Sequence, residues 1–368
     1  MKNRCDILLV GQIPPPFHGQ AVATGMLFDH DWPGFQVEKL RMAFSDDMES
    51  VGEASWTKAW RLICLVLRTW KVVLRCRPRV LYYLPASPNL TPVIRDVIYL
   101  ALVRWIFKKT VFHYHAGGLD DFFRSRKWLS RFTQMVYNDA DCSVDVNITV
   151  PPSGAYFNAK RNEVVMNGLD VGDAKRGRTM DAKFQVLYLG LLCEPKGVMT
   201  LIDAAKILQG SDCHCEFMLV GGWDSSEFKD KFQAMVDDAG VSDMFNYGGF
   251  KRGDDKWQAY ADADVFIFPS HHPTETFGLV LVEAMAFGLP IVTNIWRGIP
   301  HVIGDSGCAM MCEAKNADEY ARAILELMGD SETRVAMGKA ARKHYEDNFT
   351  RRHFVEGMEE IFSTVLKD

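Results

Sequence analysis

The chain reads as an α/β protein with two parallel-sheet domains, and three observations predict it. The 368 residues exceed what one ordinary core organises, so two domains are expected. Short, largely apolar runs recur at residues 6–10, 110–114, 184–189, 216–220 and 264–268, the pattern of strands buried on both faces. These runs end in glycine- or proline-containing loops, several of which open helix-forming stretches. Residues 171–182, polar, charged and with two glycines, are the expected linker between the domains.

Composition removes several function classes. With 48% hydrophobic and 24% charged residues the chain is ordinary globular material, with disorder expected only at its ends. Nine cysteines, an odd number without framework spacing, point to a reducing compartment and a cytoplasmic location. Cys213, His214 and Cys215, or Cys308 with Cys312, do not supply four ligands in either cluster, so no metal site is expected. The first eleven residues hold only a four-residue apolar run and read as a first strand, not a signal peptide. The longest uncharged apolar runs, 62–67 and 97–103, fall far short of the roughly 20 residues a membrane span needs.

Charge is more informative by position than in total. The net charge is −5, and no nucleic-acid partner is expected, yet between residues 56 and 109 eleven basic residues face one acid, Asp96.

The elements follow in order. Residues 6–10 form a strand whose proline-rich loop bars a helix until about Gly19. Residues 60–75 form an amphipathic basic helix: Leu62, Ile63, Val66, Leu67, Trp70, Val73 and Leu74 share one face, while Arg61, Arg68, Lys71 and Arg75 lie opposite. Leu65 and Val72 sit at the edge of that basic face, which is awkward for a plain solvated surface but suits the headgroup zone of an anionic bilayer; a core-packed helix with a solvated basic face is the alternative. A strand at 77–84 and a second apolar helix at 93–107 follow. Residues 110–114 form a strand ending at His115, with His113 on the same side by strand alternation. Asp120 and Asp121 then serve as acceptor contacts or as helix N-terminal acids. Strands at 141–149 and 163–166 close the first domain.

The second domain opens with the strand at 184–189, the loop Gly190 to Gly197 and a helix at 198–208. Strands at 216–220 and 245–250, a short helix at 257–261 and the strand at 264–268 lead to the most informative stretch, PSHHPTETFGLVLVEAMAFGLPIV at residues 269–292. Glu275 falls in the loop and Glu283 eight residues on, within a helix that runs from Leu279 and stops at Gly288 and Pro290. If Gly278 opens that helix, its unpaired first-turn N–H groups suit a phosphate. Eight helical residues span roughly 12 Å, too far for a proton-sharing dyad, so the two carboxylates are placed to hold hydroxyls at two ends of one ligand. A nucleotide sugar has that layout.

Glu275, seven residues and Glu283, inside ETFGLVLVEAMAFGLP, resemble the core motif of the retaining glycosyltransferases of family 4, which have the GT-B fold of two Rossmann-like domains facing across a cleft. The resemblance implies that Glu275 and the backbone at Thr276, Phe277, Gly278 and Leu279 hold the donor sugar and phosphate, and that Glu283 holds the ribose. It carries Gly19 and Gly190 to the donor phosphates, Gly249 and Phe250 to the nucleobase, and Lys196 to the diphosphate. It assigns the sugar contact near the reacting carbon to His115, with His113 as the alternative, so that His115, Glu275 and Lys196 form the catalytic set. Relatives carry an arginine directly after the first glycine, and Leu191 stands there in this chain. Asn167, Gly168, Leu169 and Asp170 resemble the family's exit from its first domain, placing residues 1–170 in that domain, 171–349 in the second, and the last helix, 350–368, back with the first.

The implied function is transfer of a sugar, with retention, from a UDP- or GDP-sugar to a glycan or lipid-linked acceptor in bacterial surface polysaccharide or glycolipid synthesis. No cofactor or metal is expected, and peripheral contact with the inner face of an anionic membrane would run through helix 60–75. A nucleotide-sugar epimerase on the same fold, or a non-catalytic nucleotide-sugar-binding subunit, are the alternatives.

Overall fold

The structure, a computed structural model, describes residues 5–15, 19–44, 56–148, 152–178, 183–211 and 214–368. His18, Cys213 and the side chains of Asp120 and Asp121 lie outside the described residues. The chain divides into two compact units, Met1–Gly168 with Arg351–Asp368, and Leu169–Thr350.

The first unit holds strands β1 (Ile7–Gly11), β2 (Val37–Arg41), β3 (Val80–Tyr83), β4 (Lys109–Tyr114), β5 (Cys142–Asp145) and β6 (Asn162–Val164). They form one sheet in the order β2-β1-β3-β4-β5-β6, every pair parallel. Helices α1 (Gly19–Asp29), α2 (Trp56–Cys76), α3 (Leu90–Val103), α4 (Leu119–Arg124), α5 (Lys127–Tyr137) and α6 (Ser153–Tyr156) connect them. The last helix, Arg351–Lys367, belongs to this unit because its apolar face is part of the core: Phe362 meets the rings of Trp32 and Tyr82, and Phe354 that of His113. β2 is an edge strand with exposed positions, so it lacks the continuous apolar run that reveals the inner strands.

One acid inside the basic segment is structural. Asp96 is fully buried on α3 and accepts from the Tyr83 and Tyr137 hydroxyls, the Ala86 N–H and the Arg95 guanidinium. It thereby joins β3, the following loop and α5, with every acceptor site of a buried charge engaged.

The orientation of α2 differs from the sequence expectation. Leu65, Thr69, Val72 and Cys76 are its buried residues, whereas Ile63, Leu67 and Leu74 are exposed. Leu65 and Val72 therefore face the core, not the edge of a headgroup-facing surface. Periodicity finds the apolar stripes of a helix but cannot say which one the rest of the chain covers. Here the Thr69 hydroxyl meets the Tyr99 hydroxyl of α3 at 2.8 Å and fixes the choice.

Asp145, at the end of β5, is buried, and burial raises its carboxyl pKa to about 6 against the downward pull of hydrogen bonds from Ser153. A carboxyl raised in the folded state binds its proton more tightly than the unfolded chain, whose value is near 3.9. Its contribution is therefore most favourable below about pH 4, is lost as pH rises through about 6, and is lowest above that. Asp145→Asn is expected to raise Tm by a few degrees at pH 8, with the gain shrinking toward pH 5. Thermal melts at both pH values check this, and a pH-independent difference would refute it.

The second unit has β7 (Phe184–Leu189), β8 (Cys215–Val220), β9 (Phe245–Gly249), β10 (Val265–Phe268), β11 (Ile291–Asn294) and β12 (Ala309–Cys312), in the order β12-β11-β10-β7-β8-β9, again wholly parallel. Its helices are α7 (Val198–Gln209), α8 (Ser226–Asp238), α9 (Gly253–Asp262), α10 (Leu279–Ala286), α11 (Ile299–Ile303), α12 (Ala317–Gly329) and α13 (Ser331–Asn348). The described part of the expected linker is bound along this unit. Asp262 accepts from the N–H groups of Gly177 and Arg178, Arg176 pairs with Asp264 at 2.9 Å, and Arg178 pairs with Glu216 at 2.6 Å. Asp262 and Asp264 stand just before β10 and Glu216 in β8, and all three are spent on the backbone and on arginines.

Candidate active site

In the second unit the chain runs β7, β8, β9 outward, then returns to the other side of β7 to make β10. The order reverses between β7 and β10, and ligands of open parallel sheets bind at the carboxyl ends of the strands flanking such a reversal. Two loops meet there: residues 190–197 after β7 and residues 269–278 after β10.

They are joined tightly. His271 donates its N–H to the Pro195 carbonyl at 2.9 Å. Gly197 has φ +81°, and a Cβ on it would lie 2.2 Å from the Pro269 carbonyl oxygen. Only glycine satisfies both the left-handed backbone and that approach. The second loop is further fixed from β11 and the turn after it: Thr293 donates to the Phe268 carbonyl, Asn294 to the Ser270 carbonyl and, two residues beyond the strand, the Trp296 indole to the His272 carbonyl.

This frame brings two of the expected catalytic residues into contact. The Lys196 amine donates to Glu275 Oε2 at 2.6 Å, and the Ser270 hydroxyl donates to the same oxygen at 2.8 Å. Glu275 is 9% exposed and Lys196 lies 5.5 Å from the Phe268 ring centroid, so the pair sits where charge interactions are weakly screened. His272, for which the sequence offered no role, stands beside it. Burial first and the Lys196 charge second hold its imidazole below the ordinary range, and its Nδ1 lies 3.1 Å from the Thr274 hydroxyl.

Gly278 precedes α10 with φ +72°, a left-handed backbone that glycine adopts without strain, and a Cβ on it would lie 3.1 Å from both Phe268 and Leu281. The first turn of α10 carries no acid to compete for its N–H groups, of which that of Leu281 donates to the Gly278 carbonyl. Thr276 and Phe277 are buried, Phe277 edge-on to Phe349 at 5.9 Å, which leaves the backbone as what this segment offers a ligand. Glu283, in the middle of α10, is engaged at both oxygens: Oε1 with the Lys256 amine at 2.5 Å and Oε2 with the Tyr260 hydroxyl at 2.7 Å. Lys256 and Tyr260 were missed in the sequence; their spacing of four on one helix was the available signal.

At the other strand ends, the Gly249 carbonyl accepts from the Gly221 N–H, and Phe250 is 60% exposed with the Arg252 guanidinium 4.7 Å from its ring centroid. Gly190 follows β7 directly, and Leu191 presents a 44% exposed side chain while its carbonyl accepts from Tyr188. In the first unit, Gly19 is the first residue of α1 and His115 follows β4, half-buried, its ring 4.3 Å from that of His113. His113 itself is fully buried and bonded through Nδ1 to the Tyr82 hydroxyl, and burial lowers its pKa to about 3.

Residues 173–344 match the family model described as glycosyl transferases group 1. Over 196 residues the chain is 24% identical to the capsular polysaccharide biosynthesis glycosyltransferase CapM of Staphylococcus aureus, and over 197 residues 28% identical to the lipopolysaccharide glucosyltransferase WaaG of Escherichia coli. Each alignment covers 53% of this chain and 50% of the relative, so the chain spans about half the length of the curated relatives it matches. The structure of Anabaena HepE in complex with UDP and glucose superposes with a TM-score of 0.73 over 98% of this chain and all of that one, at 18% identity. At that identity the likeness establishes the fold, which is GT-B, and the matches together support a glycosyltransferase family.

Proposed function

We propose that the protein transfers a sugar from a UDP- or GDP-sugar to a glycan or lipid-linked acceptor, with retention, in surface polysaccharide or glycolipid synthesis. The observation that carries this reading is the Lys196–Glu275 pair at the switch point, beside the opening of α10. In transfer, the bond from the anomeric carbon to the β-phosphate oxygen breaks, the new bond forms to the acceptor oxygen, and the acceptor's proton passes to the departing phosphate. Lys196 and the first-turn N–H groups of α10 offset the charge that grows on that phosphate. Glu275 accepts from sugar hydroxyls and Glu283 from the ribose, each exchanging part of its present bonding. Gly190, Gly249 and Phe250 serve the nucleotide, and Gly19 and His115 are the first unit's contributions to this reading. The names of CapM and WaaG, with capsule and lipopolysaccharide in them, support the acceptor class.

A thermal-shift panel of nucleoside diphosphates and sugar nucleotides tests it. A ligand at 100 times its Kd adds about 2.7 kcal/mol to the stability of its site. One diphosphate is expected to stabilise the wild type and to lose its effect in Glu283→Ala; no shift with any of them would sink the reading.

Leu191 favours one second reading, a subunit that binds a nucleotide sugar without turning it over, because it stands where the resemblance expects an arginine beside Lys196 at the diphosphate. Leu191→Arg is expected to tighten UDP or GDP binding by about tenfold or more, as a charge-assisted bond is worth about 1.5–3 kcal/mol. Calorimetry reads the affinity, and turnover in the wild type with donor and acceptor present decides against the binding-only subunit.

A further inference from the structure

Helices α2, α3 and α5 lie side by side in the first unit. Trp70 of α2 meets Trp105, just past α3, at 5.7 Å, and Arg104 at the same place donates to the Val136 carbonyl of α5. Each helix buries one side and leaves a second apolar stripe uncovered. On α2 the stripe is Trp56, Trp60, Ile63, Leu67 and Leu74, between 50% and 92% exposed. On and just after α3 it is Ile94, Ile98, Leu102 and Trp105, and on α5 Trp128, Phe132 and Met135. The steps of three and four residues put each set on one helical face. A set this size on adjoining helices is a patch, not the scatter normal on a monomer.

The charge around it has one sign. These three helices contain a single acid, Asp96, which is buried, while Arg68, Lys71, Lys127 and Arg131 are exposed among the apolar residues. Trp105 and Met135 also edge a cavity of about 430 Å³, where Arg104, Lys108, Lys109 and Lys160 face Asp139 and Asp141, an excess of two positive charges. No helix among the described residues is long and apolar enough to cross a membrane.

We propose that this three-helix face docks the protein on an anionic lipid bilayer, with the exposed tryptophans and aliphatic residues in the headgroup and upper acyl region and the lysines and arginines on lipid phosphates. Self-association through the same face would bring like charges together, because a two-fold interface sets one patch against itself. An anionic membrane supplies both an apolar layer and the opposite charge. The inference goes beyond sugar transfer and needs no activity to be read.

Flotation tests it, using vesicles of phosphatidylglycerol with phosphatidylcholine and vesicles of phosphatidylcholine alone. The full chain is expected to float with the first at low salt, to be released as salt rises, and to stay behind with the second. Two sets of substitutions at exposed positions separate the contributions: Arg68→Glu with Lys71→Glu and Arg131→Glu, and Ile63→Ser with Leu67→Ser and Leu74→Ser. Each set is expected to weaken vesicle binding by about tenfold or more, the first by reversing the attraction to lipid phosphates and the second by removing apolar burial, with Tm unchanged. Absence of flotation, or binding that neither set disturbs, overturns the proposal. So does a dimer in light scattering that the serine set dissociates while vesicles go unbound, which would make the face a contact between copies of this chain.

Discussion

Lys196→Ala is expected to lower the rate of sugar transfer by about 10²- to 10³-fold, the loss typical of removing one preorganised group from a developing charge. Two effects combine. The ammonium no longer offsets the charge on the departing diphosphate, and Glu275, 9% exposed, loses the partner it holds at 2.6 Å. Removing one member of such a pair costs more than the pair contributes, since the carboxylate stays behind uncompensated. Glu275→Gln keeps the shape and the Ser270 bond but gives up the charge that Lys196 pairs with. If the two residues act as one unit, the double variant is expected to be little worse than either single one, and a cycle of kcat/KM values measures that coupling. Fully additive losses would mean that the two residues act independently in the reaction. Unimpaired turnover in Lys196→Ala would remove the lysine from the chemistry.

The second unit was more legible than the first for a physical reason. β10 is buried throughout and β7 and β8 largely so; β10, Val186–Leu189 of β7 and Phe217–Val220 of β8 are unbroken apolar runs that end abruptly at glycine or proline. The loops at those ends must carry what the strands cannot, so Glu275 and Gly278 are read from the sequence as candidates there, and the resemblance adds Lys196. β2, with its polar exposed positions, carries no such mark. Side-chain partnerships across elements were equally invisible: Glu283 is readable as a residue, but its bonds to Lys256 and Tyr260 depend on α9 packing beside α10. The amphipathic helix was readable as a helix and misjudged in direction, since a helix with two apolar stripes leaves the choice to its neighbours, here Tyr99.

Gly197→Ala is expected to destabilise the second unit by about 2–5 kcal/mol, from left-handed strain of about 1–2 kcal/mol and overpacking of about 1–3 kcal/mol. The new methyl would lie 2.2 Å from the Pro269 carbonyl oxygen and 2.8 Å from its carbon, both backbone atoms at the end of β10. Neither can swing aside as a flexible side chain would, so the two loops must part. At about 2–4 °C per kcal/mol for a unit of this size, Tm should fall by roughly 10 °C. Gly240→Ala supplies the comparison: its φ is +69°, but nothing lies within 4 Å of the added methyl, so it carries the backbone strain alone. Parting the loops also separates Lys196 from Glu275, which predicts that Gly197→Ala loses the stabilisation by a nucleoside diphosphate even at temperatures where it remains folded. Equal melting temperatures for the two glycine variants, or an undiminished nucleotide shift in Gly197→Ala, would show that the close approach of the two loops does not hold the site together.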